Sequence, residues 1–202
     1  MDFKTKRQMP IGELSRPAGA LDNPNFRRWF GESKIVDGNG QPLVVYHGTP
    51  DARFKEFAHD QFFTASKEYA QKFTTSSTAS SSFYGISDAA PAVLTVYLRI
   101  ENPFDTRNPA HRKIYNELFF GKFGNGAALT PSGLPDWVEA RDLVAFLKEE
   151  MPAMRFDGIY VDEGCDDAGQ RPMAYMPFEP WQIKSAEDNA GQFDPNNNDF
   201  RK

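Results

Sequence analysis

A histidine and a hydroxyl stand together at the end of one apolar run. Pro42-Leu43-Val44-Val45-Tyr46 leads directly into His47-Gly48-Thr49. A β-branched run of this kind reads as a strand, here over residues 42–47. Such a strand would present an imidazole and a hydroxyl from a rigid support, beside a glycine that lets a ligand approach the backbone. Alone, a histidine at a strand end is more often a hydrogen-bonded structural group than a catalyst. His59 and His111 sit in polar contexts without metal-ligand spacing. The chain carries no zinc-type His-Glu-x-x-His, no phosphate-binding Gly-x-x-x-x-Gly-Lys and no Gly-x-Ser-x-Gly elbow. Gly121, Gly124 and Gly126 do not follow a strand and open a helix, so they fail the dinucleotide fingerprint and read as a connection. No metal is expected.

The elements that must position these groups are readable nearby. Asn23-Pro24 is an N-cap followed by proline in a first helical turn, and Phe26, Trp29 and Phe30 form an apolar stripe that Gly31 ends. Asp37-Gly38-Asn39-Gly40 is a turn. Residues 50–65 are irregular, anchored by Phe54, Phe57, Phe62 and Phe63. Ser66 caps a short helix bearing Tyr69, Ala70 and Phe73. The run from Thr74 to Ser82 is almost all Ser and Thr and reads as a surface loop. A strand is expected over 92–100, a helix over 111–120, a Gly- and Pro-rich connection over 121–135, and a helix from Asp136 to about Glu150. Two short strands follow, at 157–162 and 174–178. The expected class is α+β with a split, mostly antiparallel sheet and short flanking helices.

Composition narrows the field. The chain has 202 residues, 40% hydrophobic and 25% charged, which fits one globular domain. The expected bounds are a flexible arm over 1–22, the domain over 23–194 and a frayed polar tail over 195–202. The net charge of −5 argues against a basic nucleic-acid clamp. A single cysteine, Cys165, excludes an internal disulfide and reads as an inert thiol. Neither a membrane span nor a secretory signal is recognisable, so a cytoplasmic monomer without membrane contact is expected.

Five short motifs in order carry a resemblance: Trp29-Phe30-Gly31-Glu32-Ser33-Lys34, His47-Gly48-Thr49, Phe62-Phe63-Thr64, Phe156-Asp157-Gly158 and Gln182-Ile183-Lys184-Ser185. Together they resemble the ADP-ribosyltransferases of the His-Tyr-Glu class, nearest to the domains in phage and mobile-element polyvalent proteins, over about residues 24–194. The resemblance implies an NAD-dependent mono-ADP-ribosyltransferase: an effector or toxin that modifies a host protein or nucleic acid, with NAD as co-substrate gripped in a cleft of a split sheet. It implies that His47 hydrogen-bonds the ribose of the adenosine half, that Gly48 offers backbone groups to the nicotinamide carboxamide, and that Thr49 supports the strand end. Phe62, Phe63, Tyr69 and Phe73 are the aromatic candidates for the nicotinamide, with the family's tyrosine position left open among them. The Ser/Thr run would help to choose the acceptor.

One position departs from the pattern. The family's catalytic glutamate is expected on the strand before the late motif, and by spacing that position is Ala174. Alanine cannot stabilise the cation that develops on the ribose. Glu179, Asp162 and Glu163 are other acidic candidates nearby. Alanine at 174 reads either as a substitution that silences a toxic enzyme or as a degenerate domain that binds NAD without turnover.

Overall fold

Among the described residues, seven strands make one sheet. The structure, a computed structural model, describes residues 21–75, 90–123, 129–165 and 169–202. The strands are β1 (Val45–Thr49), β2 (Phe63–Thr64), β3 (Ala92–Leu98), β4 (Pro103–Phe104), β5 (Gly158–Asp162), β6 (Met173–Pro177) and β7 (Ile183–Ser185). They lie in the order β4-β5-β6-β2-β1-β3-β7, and among the described residues every pairing is antiparallel except β4 with β5. The α+β, mostly antiparallel class stands.

The split lies at the centre. β1 and β2 share a single register pair, Tyr46↔Thr64, while β1 runs the whole of its length beside β3. His47, Gly48 and Thr49 therefore continue past the point where β2 pairs with β1. β1 spans Val45–Thr49 rather than 42–47, because Pro42 lies in an isolated bridge to Val36 that closes the small turn. A proline at a ladder edge suits a bridge and not a paired strand.

Helices cover one sheet face in two separate blocks. Helix α1 (Pro24–Phe30) is capped by the Asn23 side chain and ended by Gly31 at positive φ. It buries Phe26, Trp29 and Phe30 with Tyr46 and Tyr97, and α2 (Lys67–Gln71) adds Ala70. The Ser66 hydroxyl caps α2 through the Tyr69 N–H. The other block is built around α5 (Trp137–Glu150), capped by Asp136. Its Ala140, Leu143, Val144 and Leu147 pack on Ile159, Val161, Ala174 and Met176. The expected helix over 111–120 is longer and irregular: α3 (Pro109–Ile114), a π-helical turn (Tyr115–Phe119) and α4 (Phe120–Phe123) follow in sequence. Its C-terminal end takes in Gly121, which was expected in the connection. On the opposite sheet face, Val45, Phe63, Val96, Leu98, Tyr160 and Tyr175 share a core with Phe57 and Phe200.

The tail is not frayed. Phe200 is buried, its carbonyl accepts from the Ser185 N–H, and Asp199 bridges to Glu56. Lys184 is buried and donates to the Asn197 and Asp199 carbonyls at 2.7 and 3.3 Å. Burial holds its ammonium down at about 8, against the pull of Asp194 and Asp199. One aromatic anchor outweighs the polar composition around it. The arm lies outside the described residues up to position 20, as does most of the Ser/Thr run and, with them, Gly124 and Gly126.

Candidate active site

The gap between the two helical blocks is a cavity on the sheet, and it lies where β1 and β2 part. It has a volume of ≈ 120 Å³ and is lined by Tyr46, His47, Gly48, Asp60, Gln61, Phe62, Thr64, Ala70, Phe73, Arg141 and Glu163. A second cavity of ≈ 350 Å³ adjoins it and shares Phe62, Phe73, Arg141 and Glu163, adding Trp137 and Val138.

His47 has one defined tautomer. Its Nδ1 lies 2.8 Å from the Phe62 carbonyl, which can only accept, so Nδ1 carries the hydrogen. Burial pushes the imidazole below its ordinary value, and the Phe62 carbonyl pulls it back only in part. The neutral ring then leaves Nε2 as an acceptor for a ligand hydroxyl. Phe57 and Phe63 each meet the ring at 5.3 Å between centroids.

Gly48 is needed for a reason that the sequence did not disclose. A Cβ there would stand 1.8 Å from the Ala70 carbonyl oxygen, so the residue lets α2 close onto β1. Thr49 is turned to local work: its hydroxyl donates to the Asp51 carbonyl at 3.0 Å and accepts from the Asp51 N–H.

The aromatic candidates separate into two groups. Phe62 and the exposed Phe73 line both cavities. Phe63 is buried in the core beneath. Tyr69 is also buried, and its hydroxyl donates to the Glu163 carbonyl at 2.9 Å.

Ala174 is fully buried in the apolar cluster under α5. It is the register partner of Thr64, a lining residue, and of Val161. Of the other acidic candidates, Glu179 lies elsewhere, paired with Lys148 at 2.7 Å. Asp162 is buried and fully engaged: Ser132, Thr130, Arg171 and the Gly164 N–H all donate to it. Burial raises its carboxyl, and those donors more than offset that and hold it below the usual range. Glu163 alone of these lines the cavities.

Sequence reasoning missed Arg141, which lies on the side of α5 that borders both cavities. A signal was present. Trp137 and Val138 stand off the apolar stripe of that helix and are more than half exposed, at 53% and 63%. Apolar groups away from a helix's core-facing stripe mark a surface with another use.

The other shared motifs build the frame. Ser33 Oγ donates to the Leu98 carbonyl and accepts from the Ile100 and Ile35 N–H groups. The Asp157 carboxylate accepts from the Glu101 and Asn102 N–H groups at 2.8 Å. Gln182 Nε2 donates to the Arg99 and Asp157 carbonyls, at 2.6 and 2.8 Å, and its Oε1 accepts from the Glu179 N–H. No helix among the described residues is long and apolar enough to cross a membrane.

No curated protein and no solved structure matches the chain. The model of the family described as ADP-ribosyltransferase in polyvalent proteins matches residues 37–193, which take in the cavity-lining residues and every motif except Trp29–Lys34. With that match over most of its length, the chain belongs to the family of ADP-ribosyltransferases in polyvalent proteins.

Proposed function

We propose that this chain is an NAD-dependent mono-ADP-ribosyltransferase that modifies a host macromolecule as an effector of a phage or mobile element, working in that cell's cytoplasm. The observation that carries the reading is the cavity at the parting of β1 and β2, with His47 fixed in one tautomer at its wall. NAD enters as co-substrate. A ribose hydroxyl donates to His47 Nε2. Phe62 and Phe73 flank the nicotinamide, and Arg141 faces the diphosphate. The C1′–nitrogen bond breaks, nicotinamide departs with the electron pair, and the acceptor's nucleophile adds to C1′ as its proton leaves to solvent.

Position 174 makes this a slow enzyme, because β6 offers a methyl group where the reaction needs a carboxylate. Ala174→Glu should raise nicotinamide release by about two to three orders of magnitude. The longer side chain enters a packed cluster and should destabilise the fold by about 1–3 kcal/mol. Unchanged release in a folded Ala174→Glu chain would remove position 174 from the mechanism. The burial of Ala174 among apolar groups favours a second reading, a module that binds NAD without turnover. Incubating the Ala174→Glu chain with labelled NAD and a cell lysate separates the two. Label should enter a macromolecule, and protease or nuclease treatment then identifies its class; no incorporation favours the module.

A further inference from the structure

Two carboxylates line the cavities, Asp60 and Glu163, with Arg141 and His47 as the other titratable or charged groups there, and of the two carboxylates only Glu163 lines both cavities. Among the described residues no hydrogen bond or ion pair meets its carboxylate. Its backbone is held in place by the Tyr69 hydroxyl. Its position follows from the register. Val161 faces Ala174 across the β5–β6 pair, and Asp162 faces Met173. Side chains alternate along a strand, so Glu163, one residue past β5, returns to the face of Val161 and Ala174. Diagonal neighbours across an antiparallel pair lie about 7–8 Å apart, a gap that a long side chain spans.

Resting on the transferase reading above, we propose that Glu163 supplies from the end of β5 the carboxylate that β6 lacks at Ala174. It hydrogen-bonds the nicotinamide ribose and stabilises the positive charge that builds at C1′ as nicotinamide leaves. It neither gains nor loses atoms: the C1′–nitrogen pair departs with nicotinamide, and the proton of the incoming water or acceptor goes to solvent. Glu163 is then the catalytic residue of the remaining turnover. Burial raises its carboxyl to about 7, because desolvation disfavours the charged form, and about half of the molecules carry the charge at neutral pH. Turnover should therefore rise with pH as the group ionises, with a kcat/KM midpoint near 7.

The test compares nicotinamide release and calorimetric NAD binding in the unaltered chain, Glu163→Gln, Glu163→Asp and Glu163→Gln/Ala174→Glu. The unaltered chain should turn over. Glu163→Gln should lose about 100-fold or more in kcat while its NAD affinity stays within about threefold. Glu163→Asp should retain more than the Gln variant, and the double variant should recover. A Gln variant that binds NAD and turns over normally overturns the proposal, as does an unaltered chain that binds NAD and releases no nicotinamide. An unaltered chain that does not bind NAD overturns the transferase reading itself.

Discussion

Asp162 and Glu163 are neighbours in the chain and opposites in circumstance. Asp162 points to the Tyr160 side of the sheet, where four donors surround it and hold its carboxyl low. Glu163 turns to the other side, into a cavity, where burial raises its carboxyl to about 7 and, among the described residues, no donor answers it. One carboxylate ties Arg171, Ser132 and Thr130 to the end of β5. The other weakens the fold and is available to a ligand. Satisfied polar groups build frames, and unsatisfied ones next to a cavity are where function should be sought.

The contrast can be broken by substitution. Asp162→Ala strips four donors of their acceptor and should lower the melting temperature by about 5–10 °C, while nicotinamide release per folded molecule is preserved. Loss of turnover without loss of stability would erase the distinction. Acid sharpens the same point. A carboxyl depressed in the fold stabilises it above the unfolded value, near 4, and that stability disappears as pH falls through the folded value. The unaltered chain should therefore lose stability below about pH 4 more steeply than Asp162→Asn, measured by urea unfolding.

Tyr69 links the two sides, because its hydroxyl holds the Glu163 backbone. Tyr69→Phe should lower kcat by about three- to tenfold, the value of one hydrogen bond, with KM for NAD nearly unchanged. An effect confined to KM would place Tyr69 on the ligand instead. The smallest expected change has the opposite sign. Glu163 has a raised folded value, so the fold keeps a proton that the unfolded chain releases, and stability falls as pH climbs from about 4.5 to 7. Glu163→Gln should then melt about 2–4 °C higher at pH 8 and at an unchanged temperature at pH 4, by calorimetry.

Local chemistry made much of this legible in the sequence. Asn23-Pro24, Ser66 and Asp136 cap the helices they were expected to cap. The His-Gly-Thr run is a strand end at a cavity. Long-range geometry was not legible. Short motifs flag shared residues without saying what they do, and Gln182, Asp157 and Ser33 clamp the sheet through bonds to distant backbone. Phe63 and Tyr69 cannot be told from Phe62 and Phe73 by type, since burial depends on which strand face meets a helix. Glu163 differs from Asp162 by one step of strand alternation, which has meaning only once the register with Ala174 is known. Arg141 comes to the cavity through helix packing that no spacing near His47 announces.

The most direct test of the central claim is calorimetric titration of NAD into the unaltered chain and, beside it, into His47→Ala. The unaltered chain should bind one NAD, and loss of the Nε2 acceptor should weaken that binding about tenfold, the equivalent of one hydrogen bond to a ribose hydroxyl. No binding to the unaltered chain, or equal affinity in the two, would contradict the placement of NAD where β1 and β2 part.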